Sequence, residues 1–244
     1  MSLPRFYVPH LDPKVRETVL PPDEATHLTR VLRLTVGDDV AVFDGRGREF
    51  RARVADTARR KVLVELLEPI AAAPEARVPI TLVQAVLKGE KMDAVIRDAT
   101  MMGVAAIEPI ITTRTIARGP RAENDRWSRV SVASAKQCRR AVVPIIAPPR
   151  PFEEWLRSSS HGLRLMLVEP SASPTEICSL HLLENHAAGS LALIVGPEGG
   201  WTAEERARAD QAGCLSVTLG GVTLRADAVA VAALAISRFA LKDL

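Results

Sequence analysis

The run Leu193-Ile194-Val195-Gly196-Pro197-Glu198-Gly199-Gly200-Trp201-Thr202 joins an apolar strand pattern to a glycine-rich turn and then to a helix start. Glycine lets main chain come close to a ligand that side chains would hold away. Thr202 followed by Ala203-Glu204-Glu205 has the composition of an N-cap with an acidic first turn, which disfavours a phosphate at that helix end. The Gly-Lys-Ser/Thr ending of a triphosphate loop and the G-x-G-x-x-G spacing of a dinucleotide fold are both missing. Alone, such a turn is ordinary strand-to-helix punctuation. A second one changes its weight: residues 214–219 read as a strand ending in Gly220-Gly221 and continuing as Val222-Thr223-Leu224-Arg225-Ala226-Asp227. A third strand, 163–168, ends at Glu169-Pro170. Ligands of open parallel sheets sit beyond the carboxyl ends of the strands, so the three loops are expected to share one pocket.

Two kinds of periodicity surround these loops. Short alternating stretches at 6–8, 39–43, 49–54 and 61–67, with the turn Asp44-Gly45-Arg46-Gly47, predict a hairpin within a small β-barrel. A helix is expected over 23–31 with Asp23 as its cap. The segment Ile70-Ala71-Ala72-Ala73-Pro74-Glu75-Ala76-Arg77 has linker composition. Domains are therefore expected at 1–70 and 80–244, joined by 71–79. Beyond it strands and helices alternate, the signature of a parallel sheet covered by helices: strands at 81–87 and 104–111, helices at 90–102 and 125–140. The last helix, 228–241, has apolar residues on more than one face and is expected to be buried nearly all round.

Bulk properties exclude more than they assign. A net charge of +3 and a pI near 9.0 are only mildly basic, so nucleic-acid binding has to rest on local clusters. Cys138, Cys178 and Cys214 lie far apart without a C-x-x-C pair, which speaks for a reducing cytosol and against structural zinc. His181 and His186 are spaced wrongly for one helix face, and no metal is expected. With no apolar run of about twenty residues and no signal peptide, a soluble cytoplasmic protein is expected.

Several motifs in order resemble the RsmE-type 16S ribosomal RNA uridine N3-methyltransferases of the SPOUT superfamily. They are Arg5-Phe6-Tyr7, His27-Leu28-Thr29-Arg30-Val31-Leu32-Arg33, Gly37-Asp38 and Phe43-Asp44-Gly45, then Lys88-Gly89-Glu90-Lys91-Met92-Asp93 and Ala99-Thr100 before Gly103-Val104. Lys136-Gln137-Cys138-Arg139-Arg140 before Val143-Pro144, the glycine loop, Leu219-Gly220 and Leu224-Arg225 complete the set. The resemblance covers nearly the whole chain. It implies an α/β fold: a C-terminal trefoil-knot domain with a parallel sheet, preceded by a PUA-like or OB-like β-barrel. It also implies S-adenosylmethionine as cofactor, held by Leu167, Val168, Glu169, Val195, Gly196, Pro197, Glu198, Gly199, Gly200, Leu219, Gly220, Gly221 and Leu224. Periodicity alone would not have suggested a knot, since connections in such sheets are normally unknotted.

The implied reaction sets its own demands. Uridine N3 carries a proton at neutral pH, so its attack on a methyl group needs a proton acceptor and stabilisation of the anion. Asp227 and Arg225 are the candidates, although Arg-x-Asp at this place is equally a helix-start charge with a surface ion pair. The family usually has Leu-Arg-Thr-Glu-Thr here and Pro-Arg just before; this chain has Gly221, Val222, Ala226, Asp227 and Ala228 instead. RNA contacts are expected from Arg5, Arg30, Arg33 and Arg46 in the first domain, and from Lys88, Lys91, Arg114, Arg139 and Arg140 in the second. The expected partners are 16S rRNA in the small ribosomal subunit and a second copy docked through the last helix. The altered stretch 221–228 keeps open a non-catalytic RNA-binding assembly factor. A SPOUT ribose 2′-O-methyltransferase is the enzyme alternative, but its Asn-x-Gly and Ser-Leu-Asn signatures are missing.

Overall fold

The computed structural model describes residues 3–58, 61–116, 121–170, 179–185 and 189–243, with main chain alone for 121–124. Cys178 and His186 lie outside the described residues. The chain divides into two compact units, Met1–Glu75 with Val132–Val143, and Ala76–Ser131 with Pro144–Leu244.

The first unit is a mixed five-stranded half-barrel of β1 (Arg5–Tyr7), β2 (Glu17–Val19), β3 (Asp39–Phe43), β4 (Glu49–Asp56) and β5 (Leu63–Ile70), in the order β1-β3-β4-β5-β2. Only β1 and β3 run parallel. Alternation puts Val40, Val42, Ala52, Val54 and Val64 into the core beside Phe6 and Leu28. The Asp44 carboxylate accepts from the Arg46 and Arg48 N–H groups at 2.7 and 3.1 Å, which shapes the hairpin turn. Helix α1 (Pro22–Thr26) starts one residue earlier than expected: Pro22 supplies the first-turn φ, Pro21 is the N-cap, and Asp23 is a first-turn charge rather than a cap. A π-helical turn, His27–Val31, continues it. The three-residue β2 has no alternating pattern and was not foreseen.

The second unit is a parallel sheet of β6 (Ile80–Ala85), β7 (Ala106–Ile111), β8 (Ile145–Ile146), β9 (Arg150–Pro151), β10 (Leu163–Leu167), β11 (Leu191–Val195) and β12 (Leu215–Val217), in the order β12-β10-β11-β6-β7-β8 with β9 beside β7. The chain leaves β11 and passes β10 to reach β12, so the loops after these three strands are drawn to one end of the sheet. Leu165, Leu167, Leu193 and Val195 face α2 (Glu90–Met101) and α6 (Ala226–Ala240), sharing a cluster with Met92, Ile96, Ala233 and Leu234. Met166, Val168, Ala192 and Ile194 face the other way, against Phe152 and Trp155 of α4 (Phe152–Ser158) and Ala209 of α5 (Ala203–Gln211). Burial on both faces explains why β11 reads as an unbroken apolar run.

Two expectations about helices are corrected. Helix α3 (Arg121–Cys138) stops before Arg139, which has φ +67°. Helix α6 is not buried all round: Ala230, Ala233, Leu234, Ser237 and Arg238 face inward, whereas Phe239 is 73% and Ile236 43% exposed.

Candidate active site

A cavity of about 400 Å³ lies at the carboxyl ends of β10, β11 and β12. Of the residues expected to hold a cofactor, Leu167, Val168, Glu169, Val195, Gly196, Pro197, Glu198, Gly200, Leu219 and Leu224 line it. Gly199, Gly220 and Gly221 do not line it. Gly199 turns toward Arg114, whose Cβ would stand 3.2 Å from an added Cβ and whose guanidinium donates to the Gly199 carbonyl at 2.7 Å. That carbonyl takes up one Arg114 donor, and a weaker bond at 3.4 Å reaches the Trp201 carbonyl.

The loops are braced from several directions. Trp201, directly after the glycine turn, also lines the cavity, and its Nε1 donates to the Leu167 carbonyl at 2.9 Å. The indole thus ties the turn after β11 to the end of β10. Gly196 gives it room, because a Cβ there would come within 2.9 Å of the ring. Gly200 has φ +69°, and a Cβ would meet the Glu169 carboxylate at 2.7 Å, so this close approach requires glycine. Behind the loop the fully buried Gln84 donates through Nε2 to the Ala85 and Gly196 carbonyls at 3.0 and 3.5 Å. Thr202 and Glu205 form the reciprocal capping box, and the second Glu205 oxygen accepts from Thr113 N–H at 2.8 Å.

Charges at the cavity are mostly matched. Lys91 Nζ donates to Glu198 Oε1 at 2.9 Å. Burial pushes the Glu198 carboxyl up, but hydrogen bonds from Lys91 and main chain outweigh it and hold the group below its ordinary range. Arg225 and Asp227 form a bidentate pair at 3.1 and 2.8 Å, both lining the cavity, with Arg225 as N-cap of α6 and Asp227 in its first turn. The Arg225 side chain is 73% exposed and Asp227 25%. The pair is a helix-start ion pair that also lines the cavity. Glu169 has no hydrogen bond or ion pair to another described residue.

The proposed RNA contacts separate by burial. Arg5 and Arg140 are withdrawn. Arg5 is 8% exposed, chelates Glu49 at 2.8 and 3.0 Å, and donates to the carbonyls of Ala135, Lys136 and Arg140 at 2.9, 3.1 and 2.9 Å. Arg140 is 6% exposed and paired with Glu75. Lys91 and Arg114 are engaged in the loop contacts just described. Arg30, Arg33, Arg46, Lys88 and Arg139 are exposed. Lys91 lines the cavity rather than standing free for RNA, and the sequence reading missed Pro170, Trp201, Thr218, Val222, Thr223, Ala226 and Val229 as lining residues. For Trp201 the signal was its place directly after the glycine turn.

Residues 74–238 match the RNA methyltransferase domain family and residues 20–67 the RNA methyltransferase PUA domain. The Synechocystis ribosomal RNA small subunit methyltransferase E is 32% identical over 86% of this chain and 68% of its own length. The Mycobacterium bovis protein of the same name is 31% identical over 94% of this chain and 88% of its own. The crystal structure of ribosomal RNA small subunit methyltransferase E from Neisseria gonorrhoeae bound to S-adenosyl methionine superimposes with a TM-score of 0.88, at 31% identity and 97% coverage of both chains.

Proposed function

The chain belongs to the ribosomal RNA small subunit methyltransferase E family, and from that premise we propose that it methylates N3 of a uridine in 16S ribosomal RNA at the cavity between the β10, β11 and β12 loops. The observation that carries this reading is the convergence of the two glycine turns and the Glu169 loop on one pocket. Its residues fit S-adenosylmethionine. The volume of about 400 Å³ falls in the small-molecule range. Gly196 and Gly200 bring main chain to the wall, and Leu167, Val195, Leu219 and Leu224 supply apolar surface for a flat ring. Glu169, with no hydrogen bond or ion pair to another described residue, is a carboxylate placed to meet a cationic group. When bound, S-adenosylmethionine supplies an electrophilic methyl group on a positively charged sulfur.

The remaining chemistry falls to side chains at the cavity. Asp227 accepts the proton from N3, and Arg225, held beside it at 2.8 Å, offers N–H donors to the charge that spreads onto the flanking uracil oxygens. Exposure of Arg225 leaves it able to turn from the carboxylate to the substrate. Among the described residues no helix is long and apolar enough to cross a membrane; we place the protein in the cytoplasm, where its RNA substrate is made. The exposed Phe239 and Ile236 on α6 support a homodimer through that helix.

Purified protein incubated with labelled S-adenosylmethionine and small subunits lacking the modification tests this reading. Mass spectrometry of the digested RNA is expected to find 3-methyluridine. Label on a ribose, or no label, overturns it.

A further inference from the structure

Gly199 was expected to hold the cofactor and Arg114 to bind RNA, yet the two face one another and neither lines the cavity. The arginine stem lies along the glycine: a Cβ at Gly199 would stand 3.2 Å from Arg114 Cβ, 3.4 Å from Cδ and 3.8 Å from Cγ. Gly199 has no left-handed φ, so its missing side chain makes room for the arginine. From that position Arg114 Nη1 donates to the Gly199 carbonyl at 2.7 Å and, more weakly, to the Trp201 carbonyl at 3.4 Å. Two carbonyl oxygens turned toward one point repel each other, and a guanidinium between them replaces that repulsion with attraction. The opposite edge of the first peptide, the Gly200 N–H, donates to the Pro197 carbonyl at 3.0 Å. The 199–200 peptide is thereby held at both edges. Flanked by two glycines, it would otherwise rotate with no Cβ to resist.

Arg114 is itself anchored. Just beyond β7 the Thr112 N–H donates to Thr115 Oγ1 at 3.0 Å and the Thr115 N–H to the Thr112 carbonyl at 3.2 Å, closing a turn around the arginine. The neighbouring Thr113 N–H donates to Glu205 Oε1 at 2.8 Å, and Glu205, 4% exposed, is the N3 residue of the α5 capping box. The main chain that carries Arg114 is therefore tied to the helix that the glycine turn opens into. Gly200 and Trp201, which follow the pinned carbonyl, line the cavity.

We propose that Arg114 is a positioning residue for S-adenosylmethionine: from behind the cavity wall its guanidinium sets the orientation of the Gly199–Gly200 peptide, and with it the surface that Gly200 and Trp201 present to the cofactor. Residue 199 is glycine so that the arginine stem can lie against the turn. The inference rests on cofactor binding at this cavity and gives Arg114 and Gly199 roles other than those expected from sequence.

Calorimetric titration with S-adenosylmethionine tests it. Arg114→Ala should weaken binding about tenfold, the low end for a hydrogen bond from a charged donor because the group is exposed. Gly199→Ala should also weaken binding, since its Cβ crowds the arginine stem off the carbonyl. In an Arg114→Gly background, where that stem is gone, Gly199→Ala should cost nothing further. A glycine that made room for the cofactor would instead give the same loss in both backgrounds. Without cofactor, Arg114→Ala should bind a fluorescent uridine-containing RNA oligonucleotide as wild type does. Wild-type cofactor affinity in Arg114→Ala, equal losses from Gly199→Ala with and without the arginine, or a fall confined to RNA affinity overturns the proposal. Wild-type protein that fails to bind S-adenosylmethionine refutes the cofactor reading, and the proposal with it.

Discussion

A single methyl group at Gly196 should damage the cofactor cavity. The backbone there is not left-handed, so alanine meets only a steric obstacle: its Cβ would lie 2.9 Å from two atoms of the Trp201 indole. The ring cannot step aside freely. Its Nε1 donates to the Leu167 carbonyl at 2.9 Å, and its face packs on Phe152 with centroids 5.0 Å apart. Moving it orphans the Leu167 carbonyl, at about 1–3 kcal/mol. Keeping it in place overpacks the turn, at a similar cost of about 1–3 kcal/mol. Whichever response is cheaper sets the loss, and for a chain of this length that lowers Tm by roughly 2–12 °C. Because Gly196 and Trp201 both line the cavity, S-adenosylmethionine affinity should fall at least about tenfold, or 1.4 kcal/mol. Calorimetry and thermal unfolding of Gly196→Ala measure both quantities. In a Trp201→Leu background the obstacle is gone, so Gly196→Ala should add little, giving a coupling of at least about 1 kcal/mol. Wild-type affinity and Tm for the single variant, or strictly additive losses in the double, refute the steric argument.

Asp227→Asn should slow single-turnover methylation strongly with cofactor binding intact, while Asp227→Glu should retain activity; a wild-type rate for the asparagine variant at every pH would reduce Asp227 to a helix-start charge worth a fraction of a kcal/mol. Hydrogen bonding from His161, then Trp155, holds the Glu108 carboxyl at about 2 against the upward push of burial. A depressed carboxylate stabilises the fold above its ordinary 4.5, and that contribution is lost as pH falls from 4.5 toward 2. Melting curves should therefore decline less over that window for Glu108→Gln than for wild type, and parallel declines would contradict the linkage. Burial pushes the Cys214 thiol up to about 11, so iodoacetamide at pH 8 should leave it unmodified in native protein and alkylate it after denaturation; peptide mapping that finds native Cys214 alkylated would count against its burial.

Much of the cavity was legible in the chain because its signals are local. Gly196 and Gly200 lie within five residues of each other in one turn, Thr202 and Glu205 cap their own helix, and the apolar runs of β10 and β11 carry the two-sided burial of a parallel sheet in their composition. The expectation that loops after three strands share a pocket needed only the general rule for such sheets. What the chain could not reveal depended on partners far away in sequence. Arg5 and Arg140 look like surface cations until Glu49 and Glu75, 44 and 65 residues off, enclose them. The same Arg5 guanidinium reaches main chain 130 to 135 residues on, which is how Val132–Val143 comes to belong with the first unit. Lys91 becomes a wall of the cavity only through Glu198, 107 residues away. Gly199 faces Arg114 rather than the cavity, and α6 leaves Phe239 exposed, because a pattern of residue types defines which side chains are apolar but not which neighbour covers them. Periodicity follows from local backbone geometry and can be read along the chain; the pairing of buried charges and the direction of a turn arise only when distant segments close on one another.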